Sequence, residues 1–531
     1  MGQTYRMSTK LHWLARLAFL LLAGSMVACG GSSSITPPPP AGGFSNASLS
    51  GQYAFSMSGL DLNGGYIARV GSFVADGNGS ITAGLEDVLA GNSPAQQVIF
   101  SGGSYTIQTN GTGSLAVQSS TGAGLQFSII LISTGQGALI QTDLNGASSG
   151  SFSLQTPASF SASSLSGNFI LDFSGTTFSG PSPAPFSIVG QVALDGNGTV
   201  TGGTLDENNG IASGAVKAQA GTYQLDSTAS GTTFGRGTVT FDGRSFAFYI
   251  VNSSRIKIIE EDTFAATMGD ALLQDASVPT QNSTVNGSFV YLVTGASILG
   301  NQGVDARVAR FTADGKGGIN AISYDENDNG SANHISQGSN ISKSTYAIDT
   351  TNTGSGRGTF TFTDSHGGTY TYVFYLISAT QGVLQDTSPG IVADGPLLAQ
   401  TGGSFANPGI AGNYAFIWSG IYLGTQDAIP FEEDYVGQYI LSSATSANIT
   451  GTTDYTQLGL SGNNLFTNIG IAGGLTINTN GTTNNAFKIA NGGSPSTTYN
   501  FAYYVVSPTT AFMVCTDSTR TTAGVATQQS Q

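Results

Sequence analysis

The sequence predicts an all-β protein made of tandem antiparallel modules, on three observations. The first is composition. Gly is 75 of 531 residues and only 9% of the chain is charged, against roughly 25% in ordinary soluble proteins. With 29 Phe, 20 Tyr and a hydrophobic fraction of 39%, the chain still has enough apolar surface to fold. The second is a sequence unit that returns four times. The third is turn chemistry: Asn-Gly, Asp-Gly and Gly-Gly pairs punctuate short β-branched and aromatic runs, as hairpins require. The formal net charge is −15, so the basic footprint that nucleic acid or anionic lipid would need is missing.

From the N-terminus, Arg6, Lys10 and Arg16 precede an apolar run from Leu17 to Ala28. That run suits a signal sequence and is too short for a membrane span of about 20 residues. Met26-Val27-Ala28-Cys29 resembles a bacterial lipobox. The resemblance implies cleavage after residue 28 and lipidation of Cys29; ordinary secretion with cleavage near Ala28 is the alternative. Gly30 follows the cysteine where inner-membrane lipoproteins of Gram-negative cells carry Asp, which implies an outer-membrane or cell-surface address. Residues 29–45 contain Gly30, Gly31 and Ser32 to Ser34, then Pro37 to Pro40, a flexible stretch followed by a stiff one that suits a tether. Cys515 is the only other cysteine and lies in an apolar run, as a buried small hydrophobe does.

Four modules follow, at 46–157, 158–280, 281–402 and a divergent 403–531. Each opens on one motif: Leu49-Ser50-Gly51-Gln52-Tyr53, Leu165-Ser166-Gly167-Asn168-Phe169, Val285-Asn286-Gly287-Ser288-Phe289 and Ile410-Ala411-Gly412-Asn413-Tyr414. Asp76-Gly77-Asn78-Gly79 returns as Asp195-Gly196-Asn197-Gly198 and Asp314-Gly315-Lys316-Gly317 and is lost from the fourth copy. An alternating aromatic strand, Phe246-Ala247-Phe248-Tyr249-Ile250 in the second module, recurs in all four. Seven or eight short strands per module, joined by hairpins, predict an up-and-down β-barrel, with a two-sheet sandwich as the alternative. The opening Gly-x-(Tyr/Phe) strand resembles the first strand of calycins, the lipocalin and avidin superfamily. That implies an eight-stranded barrel and nothing about ligand. Leader, tether and repeats together also resemble uncharacterised bacterial surface lipoproteins.

Residues able to carry chemistry are few. Gly146-Ala147-Ser148-Ser149-Gly150 has the spacing of a nucleophile elbow but no helix to follow it and no His in its module. His334 and His366 are isolated in polar segments. Asp325-Glu326-Asn327-Asp328-Asn329-Gly330 matches the start of a calcium loop, with Asp325, Asn327 and Asn329 as candidate ligands and calcium as the one candidate cofactor. The competing reading is a polar turn. Asp143, Asp262, Asp386 and Asp517 follow the same strand in every copy. Paired with Asp206 and Glu207, Asp262 would supply the two carboxylates of a glycan hydrolase; turn chemistry explains all of them more simply. Tyr249, Tyr375 and Tyr504 point away from the predicted core, either to pack on a neighbouring module or to bind ligand.

The expected function is a non-catalytic, membrane-anchored array for adhesion, ligand capture or display. Candidate partners are a polysaccharide, an envelope protein or a small hydrophobic ligand inside a barrel. A carboxylate-dependent hydrolase is the alternative.

Overall fold

The structure, a computed structural model, describes residues 43–531 apart from 121, 123, 181, 213, 279, 338–343, 353, 364–367, 403, 404, 406, 425–429, 443–446, 460, 461, 492 and 493. Cys29, the tether and His366 lie outside the described residues. The chain is nearly all strand, and its repeats are antiparallel barrels in tandem.

The first barrel shows how sequence becomes structure. Its strands are β1 (Ser50–Asp61), β2 (Tyr66–Asp76), β3 (Ser80–Ala90), β4 (Gln96–Ile107), β5 (Thr112–Ser119), β6 (Gly124–Ser133), β7 (Gln136–Gln141) and β8 (Gly146–Leu154). They pair in sequence order, and β8 closes onto β1. The result is the up-and-down barrel rather than the sandwich. Asp76 ends β2 by accepting the backbone N–H groups of Asn78 and Ser80 on one carboxylate oxygen. Gly77 and Gly79 take φ of +79° and +108°, backbone that side chains rarely tolerate. Asp195 and Asp314 build the same turn. The elbow-like segment 146–150 is part of β8.

Alternation along β1 points Tyr53, Phe55 and Met57 inward, where Phe73, Phe100, Phe127 and Phe152 fill the lumen. Each such burial is worth roughly 1.5–3 kcal/mol. Tyr53 stacks on Phe73 at 5.5 Å between ring centroids. The other barrels hold equivalent apolar clusters, and the free space inside barrel two is about 20 Å³. Measured as room for the centre of a water-sized sphere, of which one water needs roughly 10–15 Å³, that holds about a single water, so this barrel has no room for the small hydrophobic ligand considered above.

Barrels two and three depart slightly from the first. The fourth strand of barrel two is broken into Val216–Ala218 and Gly221–Leu225, and both pieces pair with Thr199–Asn208. In barrel three it is Ser331–Gln337 and Thr345–Ile348, with the second piece bridged to Gly318. The fourth barrel closes like the first. One short helix, α1 (Ala229–Phe234), was not legible as periodicity. The Thr228 side chain caps it by accepting from Gly231 N–H, and Gly235 ends it at φ +65°.

The barrels also pack head to tail into a closed ring. Each last strand is followed by a glutamine whose side-chain amide donates to two carbonyls of the next barrel. Gln155 reaches Phe234 and Ile250 at 3.0 and 2.6 Å, and Gln274 reaches Ser355 and Leu376, both at 2.8 Å. Gln400 reaches Asn480 and Val505, and Gln529 returns to Asn110 and Leu131 of barrel one at 2.9 and 2.8 Å. The next backbone N–H repeats the link: Thr156 to Val251, Asp275 to Ile377, Thr401 to Val506 and Ser530 to Ile132. One apolar cluster draws residues from barrels one, three and four, including Ile130, Val308 and Val436.

Tyr66 of barrel one is buried in the first seam. Its hydroxyl lies 3.5 Å from the Ser174 carbonyl of barrel two. Burial raises its pKa, with further contributions from Asp394 of barrel three and Glu432 of barrel four.

Gln529→Ala should remove both side-chain bonds that close the ring and leave two carbonyls unpaired. The expected cost is about 1–3 kcal/mol, read as a lower denaturation midpoint in the full chain.

Candidate functional site

Two families of polar residues stand apart from the apolar cores. The first lies in the seams between barrels. Asp87 points out of β3 and accepts from Arg236 Nε and Nη2, each at 2.8 Å, and from the Tyr249 hydroxyl at 2.7 Å. Asp206 does the same with Arg357 and with Tyr375, again at 2.7 Å. At the next seam Asp325 accepts from Tyr504 at 2.6 Å, and its other partner is His334 Nδ1, 2.8 Å away on the adjacent strand of the same barrel, where the first two seams use an arginine of the next barrel. Hydrogen bonding to Asp325 raises the His334 pKa.

Tyr249, Tyr375 and Tyr504 are thus buried against the neighbouring barrel, the packing use weighed above, and none faces solvent. Burial and then the adjacent carboxylate push each phenol pKa up. The seam arginines sit in the Gly235-Arg236-Gly237 and Gly356-Arg357-Gly358 segments.

The calcium candidates take part in the same seam. Asp325 and Asn327 lie on the strand Ile319–Asp328 rather than on a loop. Asn327 donates its amide to the carbonyls of Cys515, Asp517 and Arg520 in barrel four. Asn329 lies just past the strand at φ +49° and donates to Gln302 O at 3.2 Å. On extended backbone Asp325 and Asn327 are set along one face of a strand, not wrapped around a centre as the ligands of a calcium loop are. Asn208 and Asn463 repeat the Asn327 contact at other seams, on the turns after Asp386 and Gln141. The turn acids Asp143 and Asp262 accept backbone N–H groups, as the simpler reading had it.

The second family plugs one end of each barrel. Arg69 pairs with Glu86 in barrel one at 2.7 Å. Arg244 pairs with Glu260 and Glu207 in barrel two at 2.9 and 3.2 Å. Arg307 pairs with Asp305, Glu326 and Asp386 in barrel three, and Arg520 pairs with Glu433 in barrel four at 2.9 Å. Arg69 and Arg307 occupy the same place on the second strand of their barrels, whereas Arg244 begins a sixth strand and Arg520 an eighth, yet each sits at the barrel end away from the module linkers.

The hydrolase trio is divided by this arrangement. Asp206 faces the seam, while Glu207, its neighbour on the strand, faces the barrel mouth with Asp262. That mouth is a cleft of about 540 Å³, also lined by Asp242, Arg244 and Phe264. A second cleft of about 420 Å³ lies at the first seam around Arg236, Asp226 and Glu261.

No known family profile matches the chain, and no curated protein sequence does. Among solved structures it is similar to transferrin binding protein B from serogroup B Neisseria meningitidis, at 11% identity over 74% of this chain and 83% of that one, with a TM-score of 0.22. A transferrin binding protein B from Haemophilus parasuis is similar at 12% identity over 75% and 84%, with a TM-score of 0.20. At such scores the likeness carries no argument about this chain.

Two outcomes follow from the buried charges. Arg236→Met should strand Asp87, whose side chain is 1% exposed, and cost about 3–5 kcal/mol of stability. Adding Asp87→Leu should recover most of that loss in denaturant titrations.

The second concerns pH. Burial pushes the carboxyls of Glu260 and Asp434 up to about 7. Asp172 and Asp394, which face each other across barrels two and three, are both raised. In the unfolded chain such groups ionise near pH 4. Between about pH 4 and 8 the folded state therefore holds protons that the unfolded chain has released, and stability falls as pH rises. The melting temperature should be higher at pH 5 than at pH 8, and Asp394→Asn should narrow the difference.

Proposed function

We propose that the chain is an exported, lipid-anchored, non-catalytic surface protein whose four barrels form one ring for ligand capture. The observation that carries this reading is where the polar residues go. Those that repeat from copy to copy are spent on seams and turns, and the described lumens are packed. What remains for recognition is the surface around the barrel ends. Position supports the same reading. Phe44, the first buried residue, packs under barrel one at the linker end, so a tether attached there would leave the plugged ends facing outward. Residues 29–42 could reach about 45 Å at roughly 3.3 Å per residue.

A ring also changes how binding would gain strength. Avidity between independently swinging modules gives way to recognition by fixed, non-identical surfaces. Among the described residues no helix is long and apolar enough to cross a membrane, and the anchor rests on Cys29. The test is Cys29→Ser with cell fractionation. The variant should leave the membrane fraction or accumulate as unprocessed precursor, whereas normal processing with retention at the membrane would refute the anchor.

A further inference from the structure

The four plugs differ in how far water reaches them. Each arginine has one sealed partner, Glu86 at 1% and Glu260, Asp386 and Glu433 at 0%, but the outer partner Glu207 of barrel two is 32% exposed against 11% for Glu326 of barrel three. Barrel two opens above its plug into the 540 Å³ mouth, a size within the roughly 300–1,000 Å³ of small-molecule sites.

Its chemistry is mixed. Glu207, Asp242 and Asp262 line the wall as acceptors. Arg244, only 6% exposed, is part of the same lining. Its Nε donates to Glu260 at 3.0 Å and its Nη1 to Glu207 at 3.2 Å. Its Nη2 is ion-paired with Glu260 at 2.9 Å and is closed off from solvent. Phe264 is 45% exposed on the same turn as Asp262, with the guanidinium carbon 4.8 Å from its ring centroid.

These features select a ligand by elimination. An anion would meet three carboxylates at close range. An ammonium group on the Phe264 ring would meet the Arg244 guanidinium already lying 4.8 Å from its centroid, like charge against like. A wholly apolar ligand would take water from the carboxylates and offer no donor in its place. A neutral hydroxyl group donates without bringing charge of either sign. We propose that the mouth of barrel two binds a neutral glycan. Sugar hydroxyls donate to Glu207, Asp242 and Asp262, and a C–H face of the sugar lies on the exposed ring of Phe264. This deepens the ligand-capture reading and rests on it for the outward placement of the mouth; binding in solution does not require the anchor.

The test uses the full mature chain carrying Cys29→Ser, probed with arrays of neutral and acidic oligosaccharides and with a polyamine. Neutral glycans should bind. Phe264→Ala should weaken them at least about tenfold, the factor equivalent to 1.4 kcal/mol, while Phe264→Tyr keeps the ring and the binding. Leu144→Ala, on the equivalent turn of barrel one and 67% exposed, should change nothing. Undiminished binding by Phe264→Ala, an equal loss in Leu144→Ala, or preference for the acidic sugars or the polyamine would overturn the proposal. Recovery of shortened glycans would uphold the site and overturn the non-catalytic reading instead.

Discussion

The contact of one barrel with the next is the constraint on which the rest depends. It is heterologous: the first three strands of each barrel meet the last three of its successor, so each barrel carries two different contact surfaces. Such contacts either propagate or close, according to the rotation each step imposes. Here the fourth step returns to the first barrel, through Gln529 and Ser530. Closure explains why β8, the last strand of barrel one, is buried along both faces. Small outward residues let the neighbouring sheets approach, Ala54 and Ser56 toward barrel two and Ala147 and Ser149 toward barrel four. Without closure, barrels one and four would each expose a sheet face bearing apolar residues such as Ile130 and Val436.

Closure puts unusual demands on charge. The chain is poor in ionisable residues, and many of those it has are inside. A buried pair gains little net stability over an apolar one, but leaving one member alone is costly. The seam triads therefore act as registration: Asp87 or Asp206 is satisfied only when the arginine and tyrosine of the correct neighbour arrive together. Divergence between seams fits this. Asp325 has its second partner, His334, within its own barrel, so there the tyrosine alone crosses to the carboxylate, and where barrel one has Ile130 in place of tyrosine, Ser128 donates instead to Asp454 of barrel four at 2.8 Å.

The plugs answer a different problem. An eight-stranded barrel is just wide enough for side chains to fill, and at the linker-distal ends of barrels two, three and four the last aromatic rings lie against an arginine. One arginine with its carboxylates completes each barrel, and since only its position in space matters, any strand that ends there can supply it. Barrel two is the variation with consequence. Its arginine lies beneath an open mouth edged by carboxylates and an exposed phenylalanine, so a structural plug also lines a recognition surface.

The sequence by itself determined the strand class, the fourfold repeat and the turns. Alternation, Asp-Gly-Asn-Gly chemistry and repeated aromatics are local signals, each written in a few consecutive residues. It also held, unread, the recurring glutamines 155, 274, 400 and 529, visible as a repeat but meaningless without the carbonyls they reach in another barrel. Barrel rather than sandwich, the burial of Tyr249, Tyr375 and Tyr504, and the use of Asp325 and Asn327 as seam residues were decided by tertiary structure. So was the separation of Asp206 from Glu207 onto opposite faces of one strand. The physical reason is the same in each case: an outward-facing side chain in a strand acquires its role from whatever surface packs against it, and here that surface is contributed by another barrel, often more than a hundred residues away in the chain.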